Sequence, residues 1–165
     1  MNTLFIDTHG EKILLAIYQE EKLCFKKEGS ESQNHSTICM PLLTDLLAEA
    51  NLLIQDIDDI IVVNGPGSFT GVRIGITIGK TLAFTLKIPI RTMTSLELYI
   101  DDAKENEYLV LKEKNGVYVG QKTQNQIVDY QYIKTSDLED WVINKNICYC
   151  EKINEENLCI FAHQK

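Results

Sequence analysis

The chain has 165 residues, enough for one domain or two small lobes, and its 44% hydrophobic content supports a packed core. A formal net charge of −8 removes the basic footprint that supplies most affinity for nucleic acid, so direct binding of RNA or DNA is not expected. No apolar run reaches the length of a membrane span, Met1-Asn2-Thr3 leads straight into a strand with no basic leader, and five cysteines (Cys24, Cys39, Cys148, Cys150, Cys159) are an odd number that fits reduced thiols in the cytoplasm.

Residues 3–8, 12–18 and 22–27 read as three strands with short polar turns, at His9-Gly10 and Gln19-Glu20-Glu21. That is an antiparallel meander and not the βαβ opening of a nucleotide-binding fold. Residues 28–33 are polar and loop-like. The spacing of Ile38, Leu42, Leu46 and Ala50, flanked by Leu43 and Leu47, predicts a helix over residues 34–51, bent where Pro41 removes a hydrogen bond. A fourth strand over residues 57–63 follows the acidic turn Asp56-Ile57-Asp58-Asp59.

From Asn64 to Gly75 the chain runs Asn-Gly-Pro-Gly-Ser-Phe-Thr-Gly-Val-Arg-Ile-Gly, directly after Ile60-Ile61-Val62-Val63. A β-branched run that ends in Gly-Pro-Gly and opens a long apolar segment reads as strand, tight turn and helix start. Such a junction leaves backbone N–H groups unpaired where the helix dipole favours negative charge. Gly65, Gly67, Ser68, Thr70, Gly71 and Arg73 therefore form either an anion loop or a tightly packed corner.

Downstream, Val72, Ile74, Ile76 and Ile78 alternate as in a strand, but Gly71, Gly75, Gly79 and Ala83 recur every four residues. Ile74, Ile78 and Leu82 make a second stripe of the same period. Each interior glycine costs a helix roughly 1 kcal/mol relative to alanine, so three of them imply close approach by another backbone. The expectation is a helix over residues 71–86, with Gly75 at a contact inside the chain and Gly79 nearer a partner. A fifth strand follows at residues 88–92.

Past Ser95-Leu96-Glu97, strands are expected at residues 107–112, 117–121 and 127–133. Ser136-Asp137-Leu138-Glu139 reads as a capping box that opens a short helix through Ile143. Two final strands are expected at residues 147–150 and 158–162. No internal sequence repeat is apparent. The pattern divides the chain into residues 1–97 and a reduced, β-rich lobe over residues 98–165.

Several chemical motifs fail on spacing. Gly79-Lys80-Thr81 lacks the glycine five positions earlier that a phosphate loop needs, since position 74 is Ile and Gly75 is one residue too close. In Gly65-Pro66-Gly67-Ser68-Phe69-Thr70-Gly71 the third glycine comes one residue late for a dinucleotide fingerprint. A nucleophile elbow at Ser68 would need glycine at Pro66, and only His9, His35 and His163 exist to act as its base. Cys148, Cys150, Cys159 and His163 suggest a zinc set, but Cys-x-Cys departs from the usual spacing, and inert cysteines are the plainer reading. His35 with Cys39 one turn later reads as a surface helix start. Asp7-Thr8 ends the first strand where actin-like and sugar-kinase folds place an acidic residue near metal-bound phosphate; alone it reads as a turn former.

Taken together, Gly65-Pro66-Gly67-Ser68-Phe69-Thr70-Gly71-Val72-Arg73-Ile74-Gly75, Ile6-Asp7-Thr8, His35-Ser36 with Pro41-Leu42-Leu43, and Thr94-Ser95-Leu96-Glu97 resemble the TsaB (YeaZ) family. Its members are partner subunits in bacterial synthesis of the threonylcarbamoyladenosine modification of tRNA. The resemblance covers residues 1–99 in matching order and spacing. It implies an α/β fold of the ASKHA (actin-like, RNase H-like) type, with a five-stranded mixed sheet and helices in the first lobe and a reduced second lobe. The second lobe departs from the family pattern, because residues 109–118 keep Tyr118 but lack the usual Asp-Ala-Arg.

The resemblance further implies a non-catalytic cytoplasmic subunit that supports the paralogous transferase TsaD as a heterodimer, together with the ATPase TsaE and ATP in a larger complex. It implies a homodimer when TsaD is absent, no cofactor bound by this chain alone, and no direct contact with tRNA. TsaD catalysis uses a His-x-x-x-His metal pair, and the corresponding stretch from Met93 to Ile100 contains no histidine. The family interface is a four-helix bundle shared between two lobes, which here implicates His35, Ile38, Leu42, Leu43, Leu46, Leu47, Arg73, Ile74, Ile78 and Gly79. The two helices also carry more apolar surface than one sheet can cover, a mark of a partner site. Two alternatives remain: an ASKHA-type nucleotide-binding phosphotransferase using Asp7 and the 65–71 loop, and a glycoprotease-like metallopeptidase, for which the sequence offers no helical histidine pair.

Overall fold

The computed structural model describes residues 1–29, 34–151 and 153. The described residues divide into two compact units, residues 1–93 and residues 94–153. Residues 30–33 of the expected loop, the expected strand at 158–162, Cys159 and His163 all lie outside the described residues.

The first unit runs β1 (Asn2–Asp7), β2 (Leu14–Gln19), β3 (Lys22–Glu28), α1 (His35–Glu49), β4 (Asp59–Val63), α2 (Phe69–Leu86) and β5 (Ile90–Met93). Its sheet has the order β3-β2-β1-β4-β5. The meander pairs β1 with β2 and β2 with β3 antiparallel, and the helical crossovers add β4 and β5 parallel to β1. This is the five-stranded mixed sheet expected. Its central strands are apolar on both faces, as strands covered twice must be. Leu4, Ile6, Leu15, Ile17, Ile60 and Val62 pack with Leu43 and Leu46 of α1 and Ala83 of α2. Phe5, Ala16, Tyr18, Ile61 and Val63 occupy the opposite face, all buried, with the Phe5 and Tyr18 rings edge-on at 6.4 Å.

Asn34 caps α1, its side-chain oxygen accepting from the Ser36 backbone N–H at 3.1 Å. Ser68 caps α2, so the helix begins at Phe69, two residues before the expected start. Its end is closed by Lys87 in the left-handed region at φ 58° and by the Ile88 N–H donating to the Ala83 carbonyl at 3.1 Å. With that N–H taken and none on Pro89, the fifth strand starts at Ile90 and not at Ile88.

The glycine stripe settles against the sheet. A methyl group on Gly71 would overlap the Thr8 backbone carbonyl oxygen, one on Gly75 the Thr8 hydroxyl, and one on Gly79 the Val62 side chain. Gly75 is at an internal contact, as expected. Gly79 is not nearer a partner: it lies against Val62 of β4 and Ile90 of β5. Four residues turn a helix by about 400°, so a four-residue stripe drifts slowly and crosses from β1 onto β4 and β5 without leaving the sheet side.

The second unit runs β6 (Tyr108–Glu113), β7 (Gly116–Thr123), β8 (Gln126–Lys134), α3 (Leu138–Trp141) and β9 (Ile147–Tyr149). Its sheet order is β8-β7-β6-β9, with β9 parallel to β6 and the other pairs antiparallel. Three antiparallel strands, a helix and a parallel fourth strand repeat the connectivity of β1 to β4. The repeat is one of topology and leaves no trace in the sequence. Val110, Val117 and Val119 form its small core with Ile133, Leu138, Trp141 and Ile147. The Ser136 capping box does not form. Ser136 Oγ donates to Asp137 Oδ1 at 2.8 Å, Thr135–Asp137 is a 3₁₀ turn, and α3 ends at Trp141, short of Ile143.

Candidate partner-binding surface

The Gly65–Gly71 segment is built as a packed corner. The Ser68 backbone N–H donates to the His9 carbonyl at 2.8 Å, and the Gly71 N–H donates to Ser68 Oγ at 3.2 Å. Gly65 has φ +93°, a conformation that favours glycine, and Gly67 lies so close to His9 that a Cβ would come within 3.0 Å of its ring. Below it, Asp7 Oδ1 accepts from the His9 backbone N–H at 3.0 Å and pairs with His9 Nδ1 at 2.6 Å, with both residues buried. With Asp7 ionised, Nδ1 is the protonated ring nitrogen. Thr8 completes the corner, its hydroxyl donating to the Gly71 carbonyl at 2.7 Å. Of the six loop residues singled out by the sequence, Gly65 and Gly71 are buried and Gly67 is half-buried, while Ser68, Thr70 and Arg73 are exposed.

Two of those exposed residues belong to a different feature. An open groove of about 440 Å³ runs between α1 and α2, lined by Ser36, Met40, Phe69, Thr70, Arg73, Ile74, Thr77 and Ile78. The Arg73 guanidinium stacks over the Phe69 ring, 4.8 Å from its centre. Phe69 is 75% exposed and Phe84, further along the outer face of α2, is 88% exposed. Single exposed apolar residues are ordinary, but Phe69 and Met40 meet at one groove, with Phe84 exposed further along the same helix.

The expected interface residues fall into three sets. Arg73, Ile74 and Ile78 line the groove. His35, Ile38, Leu42 and Leu47 are half-buried; His35 Nε2 lies 3.0 Å from the Gly10 carbonyl, which makes it the donor nitrogen. Leu43, Leu46 and Gly79 are buried in the core of this chain and cannot present themselves to a partner. The sequence reading missed Met40, Phe69 and Phe84. For Phe69 the signal was present: positions two residues before or after a helical glycine lie about 200° around the helix, which puts Phe69, Arg73 and Thr77 opposite the Gly71/Gly75 stripe.

Cys24, Cys39, Cys148 and Cys150 are free thiols. Burial pushes Cys39 up to about 11 and Cys150 up to about 12. Cys148 lies in β9 and Cys150 directly follows it. Among the described residues no group of three His, Cys, Asp or Glu side chains is placed to hold a metal.

A family model described as TsaD: tRNA N6-adenosine threonylcarbamoyltransferase matches residues 29–158. The tRNA threonylcarbamoyladenosine biosynthesis protein TsaB of Bacillus subtilis (strain 168) is 34% identical over 147 residues, covering 89% of this chain. The chain belongs to the TsaB (YeaZ) family. It spans 62% of the length of that Bacillus relative. The solved structure of YeaZ from Pseudomonas aeruginosa superposes with a TM-score of 0.68 at 26% identity, over 81% of this chain and 67% of that one. A further crystal structure, of an uncharacterized protein with similarity to peptidase YEAZ from Pseudomonas aeruginosa, gives 0.74 at 21% identity over 98% and 89% of the two chains, a likeness of fold. The ASKHA fold inferred from the sequence is thereby the fold of this family member.

Proposed function

We propose that this chain is a non-catalytic subunit that binds a TsaD-type transferase through the outer face of α2 and the groove beside α1, and so supports threonylcarbamoyl transfer to adenosine of tRNA. The observation that carries the reading is the exposure of Phe69 and Phe84 on a helix whose opposite stripe is already committed to the sheet. Large exposed aromatic side chains on such a helix are the kind of anchor that a partner helix covers. The absence of a histidine between Met93 and Ile100 supports a partner role over a catalytic one. With a net charge of −8, contact with tRNA falls to the transferase. TsaE and ATP join in the larger assembly, the free chain pairs with itself through the same surface, and the site of action is the cytoplasm, where tRNA is modified. No helix among the described residues is long and apolar enough to cross a membrane.

The phosphotransferase alternative needs Asp7 and the 65–71 loop free for phosphate. Asp7 is instead engaged by His9, and the Ser68 N–H by the His9 carbonyl. Two measurements separate the readings. The tagged chain is expected to retain TsaD encoded in the same genome, and calorimetry with ATP and magnesium on the chain alone is expected to show no binding. Micromolar ATP affinity without retention of TsaD would reverse the assignment.

A further inference from the structure

We propose that the outer face of α2 reads two carboxylates on an apolar helix of another protein, through Arg73 and Lys80, and by this charge pattern favours that partner over a second copy of this chain. The inference rests on the partner-subunit reading and names the chemistry of what covers the site.

In a chain with 24 acidic and 16 basic residues, the segment Phe69–Leu86 contains no Asp or Glu at all. Its exposed positions include Phe69, Arg73, Thr77, Lys80 and Phe84. Arg73 and Lys80 are seven residues apart, two helical turns or about 10.5 Å along the axis. Each has a highly exposed phenylalanine within about one turn on its outer side, Phe69 before Arg73 and Phe84 after Lys80. Neither cation forms an ion pair with another described residue. The pattern is therefore aromatic, cation, small residue, cation, aromatic, and its complement is an apolar helix face with carboxylates two turns apart.

A second copy does not supply that complement. Placing α2 on the copy's α2 sets Arg73 and Lys80 against the same two cations, and like charges across an interface disfavour a partner. Placing α2 on the copy's α1 offers Asp45 and Glu49 as the acidic residues of that helix. Those do not match in spacing: they stand four residues apart, about 6 Å along the axis against about 10.5 Å between Arg73 and Lys80, and Glu49 is already paired with Lys27. A helix of a different chain, with carboxylates two turns apart, fits the pattern better than either helix of a second copy.

The test uses the full chain and TsaD from the same genome as probe, with Arg73→Glu/Lys80→Glu and the milder Arg73→Gln/Lys80→Gln beside the parent. Both positions are exposed, so the variants should melt like the parent. Calorimetry is expected to show TsaD affinity reduced on the order of 10- to 100-fold by reversal and less by neutralisation. Parent affinity should fall as salt rises from about 50 to about 500 mM. Self-association, followed by analytical ultracentrifugation, should not weaken in either variant. If the parent binds TsaD and both variants bind it equally well, the charge reading is overturned while the partner-subunit reading stands. Loss of self-association with retained TsaD binding would overturn it too, and make the second copy the occupant. A parent that binds no TsaD removes both readings together.

Discussion

Cys39 faces the core from α1 and Cys150 follows β9, and in both the surroundings disfavour a thiolate. Burial raises their thiols to about 11 and about 12 from an ordinary value of 9.0. A raised value in the folded state means that the neutral thiol is favoured there. The stabilisation it contributes is fully present below about pH 9. It declines as the pH climbs through 11 and 12, the values in the folded chain. Iodoacetamide at pH 8 should therefore label the exposed Cys24 first, the half-buried Cys150 more slowly, and leave Cys39 unmodified until the chain is unfolded, as read by peptide mass mapping. Rapid labelling of Cys39 in the native chain would contradict its placement in the core. At this scale the sequence was readable for composition and blind to environment: five cysteines without an export signal suggested reduced thiols, but no periodicity distinguishes Cys39 in a core from Cys24 on a surface.

The second helix shows what a pattern can and cannot specify. Small residues at Gly71, Gly75, Gly79 and Ala83 announce close approach, and the approach is real, but whether it meets the chain's own sheet or a foreign helix is not encoded in the spacing. It is decided by Thr8 and Val62, which lie more than fifty and about twenty residues away in sequence and are brought together by the parallel β1–β4 pairing. Leu43 and Leu46 were misjudged for the same reason, since an apolar stripe on α1 looks alike whether it faces the sheet or a partner. The strands of the meander were legible because alternating and β-branched runs bounded by turn residues leave few alternatives. The end of α2 at Leu86 was legible too, but its start was not, because that is set by the Ser68 cap. Gly71→Ala and Gly75→Ala should each lower stability by roughly 1–3 kcal/mol through overpacking, in urea unfolding followed by circular dichroism. Thr77→Ala and Thr81→Ala on the outer face should stay within about 0.5 kcal/mol of the parent. Equal effects from the two pairs would mean that α2 is rotated relative to the sheet.

At the scale of the molecule, the chain repeats one topological idea in two units: an antiparallel meander, a helix and a parallel strand. The first unit completes it with α2 and β5, and α2 carries exposed Phe69 and Phe84 on its outer face. Phe69 and Arg73 line the groove on that face and Phe84 stands exposed further along it, and the proposed function rests on these residues. Phe84 is the most discriminating residue on it. At 88% exposure it contributes little to the fold, so a substitution there should be silent in melting and should appear only in assembly. Light scattering coupled to size-exclusion chromatography, with TsaD from the same genome mixed with the parent chain and with Phe84→Asp, tests the central claim most directly. The account predicts a one-to-one complex for the parent and separate species for Phe84→Asp, with both chains melting alike. A parent chain that elutes apart from TsaD, or a Phe84→Asp variant that binds as tightly as the parent, would contradict it.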